Sequence, residues 1–100
     1  MNIDIRWKRA RKSKAIEDHA RRRAGFALDR FSEQIRHVSL RFEDLNGPRG
    51  GVDKRCTVEA QGQFSPVVVS ADAESYFEGA SRALKILERS VAKAVERQHE

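Results

Sequence analysis

The sequence predicts an α+β fold: a two-layer sandwich in the order β-α-β-β-β-α, with two helices packed on one face of a four-stranded sheet. Three observations lead there. Short stretches alternate polar and apolar residues with the period of two that a half-buried strand requires. Two longer stretches place apolar residues at spacings of three and four, the stripe of an amphipathic helix. Between the later strands lie segments made of turn residues, Asn46-Gly47-Pro48-Arg49-Gly50-Gly51 and Gln61-Gly62-Gln63.

The first strand is Asn2 to Trp7, where Ile3, Ile5 and Trp7 share a face. A basic connector follows. Ser13 is a helix N-cap, and Glu17 and Asp18 fall in the first turns, where carboxylates favour the helix dipole. From there Ile16, Ala20, Ala24, Ala27, Leu28 and Phe31 form one face of a helix over 14–33, with Gly25 on the far side. In the next strand, 35–45, Val38, Leu40 and Phe42 point one way, and His37, Ser39, Arg41 and Glu43 the other. The glycine-rich turn leads into a strand carrying Cys56, Val58 and Ala60 and ending near Gln61; Asp53 is expected to accept hydrogen bonds from the loop backbone. The last strand begins at Pro66, where proline is tolerated. Asp72 or Ser75 caps the final helix, which runs to about residue 97 with Phe77, Ala80, Leu84, Leu87 and Val91 inward and Tyr76, Ala83 and Ala94 beside them.

One hundred residues make a single domain with one modest core. No apolar run is long enough to cross a membrane, and the basic N-terminus lacks the apolar core of a secretory signal, so a cytoplasmic location is expected. Cys56 is the only cysteine, which rules out an internal disulfide and suits a reducing compartment. The net charge of +5 is unevenly spread: residues 1–36 hold eleven lysines and arginines against five acids. Such a balance points to an anionic partner.

Beyond the basic connector, three groups of cations stand out. On the last helix Arg82, Lys85, Arg89, Lys93 and Arg97 recur every three or four residues, a stripe about 22 Å long that can follow successive phosphates. On the first helix Arg22 and Arg30 flank Phe26, with His19 on the same side and Arg23 adjacent; an exposed phenylalanine there would stack on a base, whereas one packed at the helix rim would not. Arg49, Lys54 and Arg55 mark the turn between the second and third strands. The candidate RNA contacts are therefore Arg22, Arg23, Arg30, Arg49, Lys54, Arg82, Lys85, Arg89 and Lys93. Enzyme chemistry finds little support: there is no HExxH, no paired-cysteine metal spacing and no glycine loop leading from a strand into a helix. Neither a cofactor, a metal nor a small-molecule substrate is expected.

The helix ending Gly25-Phe26-Ala27-Leu28-Asp29-Arg30-Phe31, the alternating strand after it, and above all the segment Asp-x-Asn-Gly-Pro-x-Gly-Gly-x-Asp-Lys-x-Cys over Asp44–Cys56 resemble the ribosome hibernation promoting factors, also called ribosome-associated inhibitor proteins. The resemblance covers nearly the whole chain and implies that residues 1–100 are a single ribosome-binding domain, similar to the short form of the family. It implies a protein that binds the small ribosomal subunit and its rRNA near the decoding region, and there blocks transfer RNA and messenger RNA during stationary phase or starvation. It implies steric occlusion without a reaction or cofactor. Lys85, Arg89 and Lys93 match the family's basic positions; Ile86 stands where a lysine is common, and Phe77-Glu78-Gly79-Ala80 departs from the usual opening of that helix. Two other readings remain open: a general double-stranded RNA-binding domain, and a protein–protein module using the sheet face around His37, Ser39, Arg41 and Thr57. The oligomeric state, and whether the protein promotes or opposes ribosome dimerisation, are left open as well.

Overall fold

A computed structural model describes residues 1–47 and 50–98. The elements are β1 (Asn2–Lys8), α1 (Lys14–Leu28), a 3₁₀ turn (Asp29–Phe31), β2 (Ile35–Asp44), β3 (Lys54–Gly62), β4 (Phe64–Ala73) and α2 (Tyr76–Gln98). The sheet order is β1-β2-β3-β4. β1 runs parallel to β2, and the other pairs are antiparallel. Parallel neighbours need a crossover, and α1 supplies it. This is the expected α+β sandwich, with a mixed sheet and β1 and β4 as its edges.

The core lies between the sheet and the helices. Val38, Leu40 and Phe42 of β2 and Cys56, Val58 and Ala60 of β3 face Ala20, Ala24 and Leu28 of α1 and Ala80, Ala83, Leu84, Leu87 and Val91 of α2. α2 lies over β3 and β4, and α1 packs beside it. At one end Trp7 stacks on Phe42 with centroids 4.7 Å apart, and Tyr76 meets both edge-on. The Trp7 indole donates to Glu17 at 2.8 Å, and Arg21 donates to the carbonyl of Ile3 at 3.0 Å. These two bonds tie the edge strand to the helix above it.

Ser13 caps α1, its hydroxyl accepting from the Ile16 N–H. Of the two candidate caps for α2 it is Ser75 that accepts, from the Glu78 N–H. Asp72 instead holds Arg55 through two bonds, of 2.8 and 3.1 Å.

Four details differ from the sequence reading. α1 stops at Leu28 rather than near residue 33. The chain tightens there: the Ser32 N–H bonds to the Asp29 carbonyl and the Gln34 N–H to the Phe31 carbonyl, which keeps Phe31 buried while turning the chain into β2. β4 begins at Phe64, and Pro66 lies inside it, at a register shift on an edge strand where its missing donor costs no ladder bond. Phe77 is 44% exposed; the core takes Tyr76 instead, and Phe77 lies edge-on to His19 at 5.1 Å. Asp53 is fully buried, and the carboxylate that accepts from the loop backbone is Asp44, bonded by the N–H groups of Asn46 and Gly47.

Gly79 faces the sheet in the first turns of α2. A β-carbon there would sit 3.6 Å from the Cys56 β-carbon and from the Lys54 carbonyl, an ordinary contact distance. Gly79→Ala is therefore expected to stabilise the protein by about 0.5–1 kcal/mol, through helix propensity and a restricted unfolded chain. Urea denaturation checks this; a loss of stability would mean that the helix cannot take even one methyl against β3.

Candidate nucleic-acid interface

α1 and α2 lie side by side on the sheet, so their outer faces form one surface. The two helices are pinned by His19, whose ring nitrogen shares a 3.2 Å hydrogen bond with the Ser81 hydroxyl, and by Arg30, 3.6 Å from Glu88. Between these pins runs a hollow of about 290 Å³, lined by Arg23, Phe26, Ala27, Leu84, Lys85 and Glu88. The helix periodicity thus brings Arg23 of α1 and Lys85 of α2, 62 positions apart in the chain, to one groove.

Arg22, Arg23, Lys85, Arg89 and Lys93 are exposed. Among the described residues none of the five makes a hydrogen bond or an ion pair. Their donors point to solvent, and the surface they share attracts anions. Ile86 interrupts the stripe with an apolar side chain that is 40% exposed.

The other candidates are placed differently. Arg30 is committed in part, to Glu88 and to the face of Phe31, 4.5 Å from its ring centre. Arg82 turns back, donating to the Asp72 carbonyl at 2.6 Å and to the Glu78 carboxylate. Lys54 is drawn into the base of the β2–β3 loop, 2.8 Å from Asp53 and 3.5 Å from Asp44, with its side chain only 20% exposed. Arg49 lies outside the described residues.

At that loop base Asp44 is pulled two ways. Burial pushes its pKa up, but the N–H groups of Gly47 and Asn46 and the charge of Lys54 outweigh it, leaving the carboxyl below its ordinary value of 3.8. A carboxyl depressed in the folded state adds stability above the unfolded pKa and loses it as pH falls through the folded one. Asp44→Asn keeps an oxygen for the two N–H groups but loses the charge. The stability gap between wild type and variant should therefore be largest near neutrality and shrink once pH drops below 3.8. Urea titrations from neutral to acid pH test this; a constant gap would mean that the Asp44 charge adds nothing.

The Cys56 thiol is fully buried, and burial pushes its pKa to about 12, so it stays protonated. Among the described residues no cluster of His, Cys, Asp and Glu is spaced to hold a metal ion. Nor is any described helix long and apolar enough to cross a membrane.

Sequence reasoning missed a second hollow, of about 410 Å³, where Ser65, Pro66 and Val67 of β4 face Ser90, Lys93 and Arg97 near the end of α2. A helical wheel puts Lys93 and Arg97 on one stripe. Only the tertiary fold sets an edge strand beside them.

No family model matches the sequence, and no curated protein does. Solved structures are similar to it, two of them as follows. The N-terminal domain of Protein Y from Thermus thermophilus superposes with a TM-score of 0.76 at 19% identity, over 93% of this chain and 98% of that one. A ribosomal subunit interface protein from Coxiella burnetii gives a TM-score of 0.78 at 14% identity, over 93% and 96%. The present chain shares the fold of these two proteins across nearly its whole length.

Proposed function

We propose that the protein is a ribosome-associated translation inhibitor of the hibernation-factor family. It binds small-subunit ribosomal RNA near the decoding region and occupies space that transfer RNA and messenger RNA would otherwise fill. The reading rests on one coincidence. A fold shared with a ribosomal subunit interface protein presents, on its two-helix face, five basic side chains with no carboxylate partner among the described residues.

The mechanism is occlusion. The sheet and core hold the two helices rigidly, and the free cations of α1 and α2 take up phosphates. Arg89 and Lys93, on successive turns of α2, track one strand of RNA backbone. Binding follows counterion release, so five contacts give a slope of about −4 in log K against log salt concentration. No bond is made or broken, so a rigid charged face suffices. The cytoplasm, where ribosomes work, is the compartment this reading requires.

The competing double-stranded RNA reading is separated by two assays. Transfer RNA binding to messenger-programmed small subunits is measured with and without the protein, and bound protein is then challenged with free duplex RNA. Occlusion predicts that transfer RNA is excluded and that excess duplex leaves the protein in place. Displacement by duplex RNA, with transfer RNA binding unaffected, would reduce the protein to a general RNA binder.

A further inference from the structure

Phe26 is the least expected side chain on the helix face. It is 86% exposed, whereas Ala20, Ala24 and Leu28 on the same helix are wholly buried. Phe26 lines two hollows. One is the groove with Arg23, Lys85 and Glu88; the other, a shallow hollow of about 490 Å³, is lined also by Gly25, Ala27, Asp29, Arg30 and Glu88. Gly25 carries no side chain, and a β-carbon there would meet nothing within 4 Å, so the surface next to Phe26 is open at that position. Cations therefore line both hollows beside an aromatic side chain that is exposed to water. The acids among them are Asp29 and Glu88, and Arg30 is paired with Glu88.

Phosphate recognition needs no aromatic ring. A flat apolar face between cations fits a different partner: a nucleobase free of its own stack, with its flanking phosphates within reach of arginine and lysine. Duplex RNA keeps its bases stacked inside and offers such a ring nothing.

We propose that Phe26 is a stacking platform for an unpaired base, so that the two-helix face selects a single-stranded or bulged RNA segment rather than a regular duplex. This rests on the RNA-binding reading above and adds to it the conformation of the RNA. Arg23 and Lys85 supply phosphate contacts beside the stacked base. The charge complementarity of the surroundings favours RNA over an apolar protein surface.

The test uses the full chain and two labelled probes of equal length, one a single-stranded RNA oligonucleotide and one a duplex, read by fluorescence anisotropy. Phe26→Ala, Phe26→Leu and Phe26→Trp all change an exposed position, and circular dichroism confirms their folding. Stacking predicts that Ala and Leu lose about tenfold or more on the single strand, that Trp binds at least as well as wild type, and that all variants bind duplex alike with an unchanged salt slope. Full retention by Leu would overturn stacking in favour of a plain apolar contact. Equal losses on both probes, or no loss in the Ala variant, would also overturn it. If wild-type protein binds neither probe nor small subunits, the proposed function itself falls, and this inference with it.

Discussion

The double variant Arg89→Glu/Lys93→Glu is expected to lose more than about 100-fold in affinity for small ribosomal subunits at 0.1 M salt. Each phosphate contact contributes close to tenfold at that concentration through counterion release, and reversal adds repulsion to the loss. Both side chains are exposed on α2, away from its buried Ala83, Leu84, Leu87 and Val91, so the fold should be little affected, within about 0.5 kcal/mol. The alanine pair should flatten the salt slope by about two. Filter binding across a salt series reads both effects. Wild-type affinity in the glutamate variant would mean that the ribosome meets another face.

Gly62→Ala should be the most damaging single methyl in the chain. A β-carbon at Gly62 would lie 2.0 Å from the Gln34 carbonyl oxygen and 3.0 Å from the Ile35 α-carbon, both backbone atoms that cannot swing away. That same carbonyl accepts from the Gln63 N–H at 2.9 Å. To make room, the start of β2 must part from the β3–β4 turn. Overpacking of about 2 kcal/mol and a lost hydrogen bond of about 1 kcal/mol together cost about 3 kcal/mol. For a domain of this size that lowers Tm by about 10 °C or more. Calorimetry decides, and a loss under about 1 kcal/mol would show that the turn moves freely. The opposite outcomes expected for Gly62 and Gly79 come from what stands opposite each: a fixed carbonyl in one case, an ordinary gap in the other.

The element order was legible because alternation and helical stripes report directly which side of each segment is buried. Val38, Leu40, Phe42, Cys56, Val58 and Ala60 all face inward, as their period of two implies. Partners are a different kind of information. Nothing in Asn2–Trp7 says that it pairs parallel to β2; that follows from the length of the crossover and the docking of α1. Tyr76 and Phe77 lie about 100° apart on the wheel, and Trp7 and Phe42 decide between them by offering Tyr76 an aromatic pocket.

The basic stripe illustrates the same limit at the candidate site. Arg82, Lys85 and Arg89 look equivalent in sequence, yet Arg82 finds the Asp72 carbonyl and Glu78 within reach while Lys85 and Arg89 face water. Lys54 reads as a loop-tip cation until the burial of Asp53 beside it is seen. Phe26 is the converse: the helical wheel puts it off the core face without deciding between rim packing and exposure, and only the fold leaves it 86% exposed beside two hollows.

The central claim is that this face binds the small ribosomal subunit. Co-sedimentation of the purified protein with separated subunits and intact ribosomes through sucrose gradients, at low and moderate salt, tests it most directly. The account predicts stoichiometric retention on the small subunit and the intact ribosome, little on the large subunit, and release as salt rises. Absence from all ribosomal fractions, or equal spread over both subunits and bulk RNA, would contradict it.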